Sequence, residues 1–396
     1  MNEWRKVKLG EIGEITSSKR IFRAEYKKVG VPFYRGKEII QKANNQEVSD
    51  EFFISLEKYE EIKNKYSVPL ENDILITSVG TVGIPYIVKN EKFYFKDGNI
   101  NWIRKYANNI YFKYLYYWLI SPIGKNQIDS YLIGSTQKAL TIEAIKKLEI
   151  NLPPLNTQKK IAKILSDIDS KVELNNTINN NLEKQVQLIF NNHFFNKDKN
   201  YTNYISSNLL EIADFLNGLA MQKYTPNDFN EKSYPVLKIK ELNQGFTDKN
   251  SDRCSNKIKP EYIINNGDII FSWSGTLLIK IWCGNKCGLN QHLFKVTSKK
   301  YDKWFYFLWI NYHLKKFISI AKDKATTMGH IKRVDLEKAF VLIPPEKEYE
   351  SLNKILTPLF ENIISNKKEN NHLVNLKNYL LPKLMNGEID IENIEL

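Results

Sequence analysis

The sequence predicts an α+β protein with two similar mixed α/β domains, each followed by a long α-helix that pairs with the other helix. Three observations support this fold class. Apolar residues recur about every 3.5 positions in two long stretches, which is the spacing of a coiled-coil seam. Asparagines interrupt both seams at the same two steps. The segments outside the helices recur in the same order about 190 residues later, which indicates duplication of a domain together with its helix.

The two predicted helices cover about 155–193 and a second stretch ending near 384. Their seam positions are Ile161, Leu165, Ile168, Val172, Asn175, Asn179, Leu182, Val186, Leu352, Leu356, Leu359, Ile363, Asn366, Asn370, Leu373 and Leu380. A polar residue inside a seam fixes its register at some cost in stability. Antiparallel helices would meet at their middles, where the four asparagines can hydrogen-bond one another. Parallel pairing would also match them, so the seam leaves the direction open.

Length, composition and charge limit the possible classes of protein. A chain of 396 residues is long enough for two to three domains with their own cores. Its hydrophobic fraction of 42% is that of a folded protein. A formal charge of +13 suits a polyanionic partner, because neutralising phosphates drives most nucleic-acid affinity. A lysine-rich, solvated surface encoded by an AT-rich genome is the alternative explanation.

The cysteine count and the hydropathy of the sequence indicate the cellular compartment of the protein. Three cysteines, an odd number, indicate a reducing compartment without a disulfide framework. The N-terminal 15 residues contain no apolar signal core. Charged residues or proline break every apolar run before it reaches the roughly 18 residues of a membrane span. We therefore expect a soluble, cytoplasmic protein with no membrane partner.

The first domain is predicted to alternate short strands with helices. In chain order, the predicted elements are a strand broken by a turn at 31–39, two strands within 67–88, a strand at 95–104, an aromatic helix at 111–121 and a strand at 150–155. The two strands are predicted from the β-branched run Ile74–Ile76 and from Gly80 and Gly83, which punctuate the pattern. Prolines after the last strand start the long helix, with Thr157 as its predicted N-cap.

The same series follows the first long helix. Asp73 corresponds to Asp268, and Gly80-Thr81 corresponds to Gly275-Thr276. The matching segments are 8–15 with 208–218, 31–39 with 234–242, 69–81 with 263–276, 97–105 with 287–296, 111–121 with 304–314, 134–140 with 325–331, and 151–156 with 342–347.

These motifs, in this order and twice, resemble the specificity subunit of type I restriction–modification systems. The series is a tryptophan before LGEI, a VP or YP strand, a strand from NDIL or GDII to a GT turn, the segment LNQH, the small-residue turn GSTQKALT, and LPPL followed by QKKIAKIL. The resemblance covers the whole chain. Each motif alone is weak, but their ordered duplication together with the long helices is specific.

The resemblance implies two target-recognition domains, at 1–152 and 199–343, each reading one half of a split asymmetric DNA site. The spacer helix within 153–198 and the second helix and C-terminal tail within 344–396 would pair antiparallel, set the spacing and dock two methyltransferase subunits. Methyl transfer would belong to those subunits, and ATP-driven translocation and cleavage to restriction subunits of the full complex. The family thus implies that this chain binds no cofactor, and that S-adenosylmethionine, ATP and Mg²⁺ are held by its partners.

Motifs for catalysis are missing from the sequence. No polar residue precedes the prolines of LPPL or IPPE, as amino methylation of a base requires, and no phosphate-binding loop of the form GxxxxGK[S/T] is present. Cys283 and Cys287 lack a second pair and a close histidine to complete a zinc tetrahedron. We therefore expect structural thiols, no metal and a chain that is not itself an enzyme.

Candidate DNA contacts are cations, small hydroxyls and amides in matched loops of the two domains. In the first domain they are Lys19, Arg20, Arg23, Arg35, Lys37, Ser78, Thr81, Ser135, Thr136, Gln137 and Lys138. In the second they are Gln222, Lys223, Lys238, Lys240, Ser274, Thr276, Thr326, Thr327, His330 and Lys332. Gln137 or Gln222 could bind adenine through two hydrogen bonds, and Arg20 or Arg35 could bind guanine.

Each of these candidates has a plainer interpretation. A solvated surface position explains any single one, and helix capping by Thr141 would explain the GSTQKALT segment. The segment Asn290–His292 resembles one shared across the family, which favours a structural role over base reading.

Apolar residues outside the seam are candidates for a partner surface. They are Ile164, Leu188, Phe190, Phe194, Ile355, Leu376 and Leu381. In a two-helix pair they would lie exposed and dock the methyltransferase subunits. The alternative is that they are buried against the recognition domains.

Three other functions stay open at the level of sequence. The chain could be a coiled-coil scaffold that does not bind DNA, or a self-contained nuclease or methyltransferase with unfamiliar motifs. It could also be a specificity subunit of a system that only methylates.

Overall fold

The computed structural model describes residues 4–48, 52–134, 138–226, 228, 231–323 and 329–391. The chain divides into two compact units, Met1–Asp169 with Asn375–Leu396, and Ser170–Val374. Each unit therefore holds one mixed α/β domain and a part of both long helices. No described helix is long and apolar enough to cross a membrane.

The first domain and the helix that follows it consist of short elements and one long one. They are β1 (Arg5–Lys8), α1 (Leu9–Ile12), β2 (Glu14–Thr16), β3 (Val31–Tyr34), α2 (Gly36–Ala43), β4 (Phe52–Ile54), α3 (Leu56–Tyr66), β5 (Ile74–Thr77), β6 (Pro85–Ile87), β7 (Tyr94–Phe95), β8 (Ile100–Arg104), α4 (Phe112–Ile120), α5 (Pro122–Ser130), α6 (Ile142–Lys147), β9 (Glu149–Leu152) and α7 (Leu155–Phe194).

The second domain and its helix follow the same plan. They are β10 (Ile205–Asn208), α8 (Leu209–Ile212), β11 (Asp214–Asn217), β12 (Ser233–Leu237), α9 (Ile239–Gln244), β13 (Arg253–Ser255), β14 (Ile263–Ile264), β15 (Asp268–Ser272), β16 (Leu278–Trp282), β17 (Cys287–Leu289), β18 (Leu293–Thr297), α10 (Lys303–Asp323), α11 (Arg333–Glu337), β19 (Phe340–Ile343) and α12 (Glu346–Met385).

A four-stranded antiparallel sheet occurs in each domain, with the same strand order and register. The order is β2-β8-β5-β6 in the first domain and β11-β18-β15-β16 in the second. Ile74 lies opposite Ile103, and the equivalent Ile269 lies opposite Val296. The central strands β5 and β15 are isoleucine-rich and buried along almost their whole length, which suits β-branched residues. The duplication predicted from the sequence is therefore confirmed strand by strand.

The other sheets correspond in part, since the three-stranded sheet β4-β3-β7 has a four-stranded counterpart, β13-β12-β17-β14. β1 pairs with β9 and β10 pairs with β19, which joins the start of each domain to the strand before its long helix. β3 pairs in parallel with β7, and β12 pairs in parallel with β17. The sequence segment 31–39 departs from the prediction of a strand broken by a turn, because α2 begins directly after β3. The Glu38 carboxylate accepts the Arg35 backbone N–H at 2.8 Å and so caps the start of that helix.

The long helices pack together, and the antiparallel pairing implied by the family is confirmed. In the second unit Asn175 Nδ2 donates to Asn370 Oδ1 at 2.9 Å, and Asn366 Nδ2 donates to Asn179 Oδ1 at 3.0 Å. A residue later in α7 thus contacts one earlier in α12, which defines antiparallel order. Asn175 and Asn179 are buried, so these bonds satisfy amides that have lost contact with water.

The apolar seam residues are buried or half-buried, and most of them lie in the cores of their own units. The buried ones are Ile161, Leu165, Ile168, Val186, Leu352, Leu356 and Ile363. The half-buried ones are Val172, Leu182, Leu359, Leu373 and Leu380. In the first unit Leu165 shares a core with Leu384, and in the second Val186 shares one with Leu356.

The predicted N-cap of the first long helix is wrong. α7 begins at Leu155, and the Gln158 N–H donates to the Pro154 carbonyl at 3.0 Å. Pro154 is therefore the capping position, and Thr157 lies inside the first turn. Proline suits a helix start because its fixed φ is compatible with entry into the helix.

For three off-seam apolar residues the alternative, burial against the recognition domains, is confirmed. Phe190 and Phe194 are buried, and each ring lies 5.2 Å from the ring of Trp309, centroid to centroid. Leu381 is buried in the core of the first unit. Ile164 is half-buried, whereas Leu188, Ile355 and Leu376 are exposed. The largest rings enter the domain core because their burial releases the most apolar surface from water.

Candidate nucleic-acid interface

Four loops of the first domain meet at one edge of its four-stranded sheet. We call residues 17–25, 78–81, 97–99 and 138–140 the first loop cluster. Ser17 Oγ donates to the Ile100 carbonyl at 2.9 Å, and the Ser78 N–H donates to the Asn99 carbonyl at 2.8 Å. The Leu140 N–H donates to the Ser78 carbonyl at 2.9 Å. The loops meet because β2 and β5 end at this edge and β8 begins there, as antiparallel neighbours must.

The equivalent loops of the second domain meet in the same way. We call residues 217–224, 273–276, 289–292 and 329–331 the second loop cluster. Trp273 Nε1 donates to Asn217 Oδ1 at 3.1 Å, and the Gly275 N–H donates to the Gly329 carbonyl at 2.9 Å. A β-bridge joins Ser274 to His330, and the equivalent bridge in the first domain joins Val79 to Ala139. The matched segments predicted from the sequence thus occupy matched positions.

The predicted basic loop lies in the first loop cluster, open to solvent. Lys19, Arg20 and Arg23 are all exposed. Arg20 Nε donates to Asp97 Oδ2 at 3.0 Å, and Lys19 Nζ lies 4.7 Å from the centroid of the Tyr66 ring. These contacts orient two cations without covering them.

Arg35 and Lys37 lie at the start of α2. The Arg35 guanidinium donates through Nη2 to Glu38 Oε1 at 2.5 Å, and it stacks 4.4 Å over the Phe52 ring. Glu38 is fully buried. Although burial acts to raise its pKa, the side-chain and backbone hydrogen bonds from Arg35 hold the pKa of Glu38 below its usual value. Arg35 is therefore committed to a partner within the domain, whereas Lys37 is exposed.

Among the DNA contacts predicted in the turns of the first domain, one is buried and two are exposed. Ser78 is buried, and its Oγ donates to the Gly98 carbonyl at 3.0 Å. Thr81 and Lys138 are exposed. Ser135, Thr136 and Gln137 lie outside the described residues. Thr141 Oγ1 accepts the Ala144 N–H at 3.1 Å, which confirms the helix-capping interpretation for the end of the GSTQKALT segment.

A cleft of about 680 Å³ lies beside the second loop cluster. Its walls include three predicted contacts, Gln222, Lys238 and Lys240. Lys238 pairs with Asp252, and Lys240 Nζ lies 3.7 Å from Asp248 Oδ2. Amide and cationic side chains, the groups that contact base edges and phosphates, thus line part of the cleft, together with apolar side chains and the Asp252 carboxylate.

Two of the remaining candidates of the second domain, Ser274 and His330, adjoin Trp273. Ser274 is buried, and its Oγ lies 3.0 Å from His292 Nδ1. The ring of Trp273 lies 6.0 Å from that of His292 and 6.3 Å from that of His330. Lys223, Thr276 and Lys332 are exposed. Thr326 and Thr327 lie outside the described residues.

One cationic residue of the cleft was not predicted from the sequence, and two others were assigned only a structural role. Arg253 reaches it because β13 pairs with β12, and its Nε donates to Ser233 Oγ at 2.7 Å. Gln291 and His292 also line the cleft, although Asn290–His292 was assigned a structural role. Only a strand register would have placed Arg253 there, so no local pattern could have found it.

Asn290 fixes the direction of the Gln291 amide. Asn290 is buried, and its Oδ1 accepts the His292 backbone N–H at 3.3 Å. Because a backbone N–H can only donate, the Asn290 amide must turn its Nδ2 away, and that nitrogen donates to Gln291 Oε1 at 2.8 Å. The Nε2 of Gln291 is thus left to donate elsewhere.

Gly218 passes close to the backbone of the second loop cluster. A Cβ added there would lie 2.2 Å from the Asn290 carbonyl oxygen. Gly218→Ala is expected to lower the free energy of unfolding by about 1–3 kcal/mol, since backbone atoms cannot yield as a flexible side chain does. Thermal denaturation of the full chain measures this loss. Gly36→Ala, where an added Cβ meets nothing within 4 Å, is the control, and an equal loss in both variants would refute the steric explanation.

The three cysteines are buried free thiols. Desolvation raises the pKa of Cys254, Cys283 and Cys287, which makes them poor nucleophiles and metal ligands. Among the described residues, no group of His, Cys, Asp or Glu is placed to hold a metal ion.

Comparison with known sequences points to one family. The family described as the type I restriction modification DNA specificity domain matches residues 1–184 and 201–375. The type I restriction enzyme MjaIX specificity subunit of Methanocaldococcus jannaschii is 27% identical over 348 residues, covering 81% of this chain and 78% of that protein. The HindI specificity subunit of Haemophilus influenzae is 22% identical over 333 residues, covering 65% and 72%.

Comparison with solved structures supports the fold. A crystal structure of the S subunit of a type I restriction–modification system from M. genitalium superposes with a TM-score of 0.61 at 16% identity. The match covers 97% of this chain and 96% of that one.

Proposed function

This chain belongs to the family of type I restriction–modification specificity subunits, and from this membership we propose that each of its domains reads one half of a split DNA site. The observation that carries the proposal is the pair of loop clusters. The same four loops meet at the same sheet edge in both domains, but with different side chains. One fold that presents two different polar surfaces suits a protein that reads two different half-sites.

We place the two readers at 1–152 and 199–343, and the spacer helices within 153–198 and 344–396. The partners would be double-stranded DNA, two methyltransferase subunits and, in the full complex, restriction subunits. The chain would be non-catalytic and bind no cofactor, with S-adenosylmethionine, ATP and Mg²⁺ held by those partners. The cations of both loop clusters would contact phosphates, and the amides would contact base edges.

The paired helices would set the spacing between half-sites and dock the methyltransferase subunits. Each helix has 40 residues, or about 60 Å at ~1.5 Å per residue. Large apolar side chains stay exposed along them, namely Leu174, Ile178, Leu188, Ile355, Val374, Leu376 and Tyr379. Apolar surface that the chain itself leaves uncovered is suited to a protein partner.

Salt dependence of DNA binding tests the proposal. The chain with its cognate methyltransferase subunit should bind a mixed-sequence duplex with an affinity that falls steeply with salt concentration. The logarithm of the binding constant should fall by about 0.9 per neutralised phosphate for each unit increase in the logarithm of the salt concentration. Arg23→Ala combined with Lys223→Ala should reduce that slope by about two. Lys299→Ala combined with Lys300→Ala, at the opposite edge of the second sheet, should leave it unchanged. Absent or salt-independent binding would favour the scaffold alternative.

Gln222 provides a test of base reading. Gln222→Ala should relax discrimination at one base pair of the second half-site by about tenfold or more, because a bidentate amide contact contributes about 1–3 kcal/mol. The first half-site should be unaffected. Methylation of single-mismatch duplexes measures this, with Gln185→Ala, an exposed glutamine of α7, as the control. Unchanged discrimination at every position would remove Gln222 from the base contacts.

A further inference from the structure

Phe22 is an exposed aromatic side chain within the basic loop of the first cluster. Its exposed fraction is 64%. Segment 19–28 carries five cations, Lys19, Arg20, Arg23, Lys27 and Lys28, and one acid, Glu25. That acid is paired with Lys58 at 3.1 Å. Arg20 is paired with Asp97, and the ring projects from a segment whose net charge is positive.

The backbone that carries Phe22 is held at several points. Its N–H donates to Glu25 Oε2 at 2.8 Å, and its carbonyl accepts the Glu25 N–H at 2.9 Å. The backbone bond from Phe22 is the main reason that the pKa of Glu25 lies below its usual value. Before it, the Lys19 N–H donates to the Tyr94 hydroxyl at 2.6 Å, and Ile21 is buried. Because the backbone is already held in place, binding through this ring would cost the loop little conformational entropy.

Distance along the chain from the sheet relates Phe22 to one residue of the second domain. Ile15 of β2 and Phe215 of β11 occupy equivalent places in the two sheets. At equal distance beyond them, and each directly after a buried apolar residue, come Phe22 and Gln222. Gln222 lines the cleft of its domain. The two domains thus present an apolar ring and a hydrogen-bonding amide at the same distance along the loop, with Phe22 just before the 3-10 turn Arg23–Glu25 and Gln222 inside the turn Met221–Lys223.

We propose that Phe22 is a wedge residue that inserts between two adjacent base pairs of the half-site bound by the first domain. The inference rests on the proposed DNA-reading function. Arg20 and Arg23, on either side of the ring, would contact the flanking phosphates. Apolar side chains wedged between base steps unstack them and bend the duplex, and the cost of bending depends on the sequence. The first domain would recognise its half-site partly through the deformability of the DNA. The second domain would recognise its half-site through hydrogen bonds from Gln222 to base edges.

The test uses the full chain in complex with its cognate methyltransferase subunit. The probes are duplexes that carry the methylation motif mapped for the wild type, with 2-aminopurine placed at successive steps of the first half-site. Binding should raise the fluorescence at one step, which marks the unstacked base. Phe22→Ala should abolish that increase and weaken binding about tenfold, the size of a lost aromatic stacking contact. Phe22→Leu, which keeps an apolar wedge, should retain part of both effects.

Leu70→Ala is the matched control. Leu70 is 61% exposed and precedes β5, at the opposite edge of the same sheet, so its truncation should leave fluorescence and affinity unchanged. Wild-type fluorescence and affinity in Phe22→Ala would overturn the proposal. So would weaker binding of that variant to the methyltransferase subunit without DNA, because Phe22 would then belong to a protein interface. A wild type that directs no split motif would instead contradict the DNA-reading function itself.

Discussion

A chain shortened by one heptad in each long helix should direct methylation to a motif with a shorter spacer. Deleting residues 170–176 and 369–375 removes about 10 Å at ~1.5 Å per residue, which corresponds to about three base pairs at ~3.4 Å each. Both half-sites should keep their sequences, because neither loop cluster is altered. Methylated-base mapping in a host that expresses the shortened chain with its methyltransferase subunit measures the new spacer.

The two deletions are matched through their hydrogen bonds. Asn175 donates to Asn370 and to Glu369, and Asn370 donates to Asn176. All of these partners lie inside the deleted segments, and the Asn179–Asn366 pair is kept. Deleting 170–176 alone is the control, since it leaves Asn370 without its partner and should destabilise the pair of helices. A doubly shortened chain that keeps the original spacer would contradict the role of the helices as a ruler.

The second large effect, on stability, is expected at the Asn179–Asn366 pair between the two long helices. Asn179→Leu should lower the free energy of unfolding by about 1–3 kcal/mol, because the Asn366 amide loses the Asn179 Oδ1 that it now binds at 3.0 Å. Changing both residues to leucine should restore or exceed the stability of the wild type, since an apolar layer replaces a paired polar one. Denaturant titration of the single and double variants gives the coupling energy.

The double-leucine chain should also be less specific in register. A polar layer excludes shifted alignments because shifting would bury an unpaired amide, whereas leucines tolerate several alignments. Methylation by the double variant should therefore spread over motifs of more than one spacer length. The result would contradict this role of the Asn179–Asn366 pair if the two single changes to leucine had strictly additive effects on stability and the double variant methylated motifs of one spacer length only.

Much of the fold was predictable because its determinants are periodic. The heptad spacing and its matched asparagines indicated two paired helices, and the repeated order of motifs indicated two copies of one domain. The seam could not give the direction of pairing, because both directions align Asn175 and Asn179 with the second pair. The hydrogen bonds from Asn175 to Asn370 and from Asn366 to Asn179 determine the direction. Each bond joins residues that lie far apart in sequence.

The candidate interface was predictable in position but less so in detail. Lys19, Arg20 and Arg23 were identified as an exposed basic loop, and they lie in the first loop cluster. The commitment of Arg35 to buried Glu38 could not be read from charge alone, since burial depends on the whole domain. The heptad frame could not decide whether Phe190 and Phe194 are exposed or buried, because it describes two helices only. The domain core supplies Trp309 as a third partner for them.

The most direct test of two readers in one chain is methylated-base mapping after replacement of one domain. DNA is taken from hosts that express the cognate methyltransferase subunit with the wild type, or with a chain whose residues 199–343 come from another specificity subunit. We expect a split asymmetric motif with a fixed gap for the wild type. The replacement should change only the half-site read by the second domain and leave the first half and the gap as they were. A single continuous motif, or a first half-site that changes with the second domain, would contradict the account.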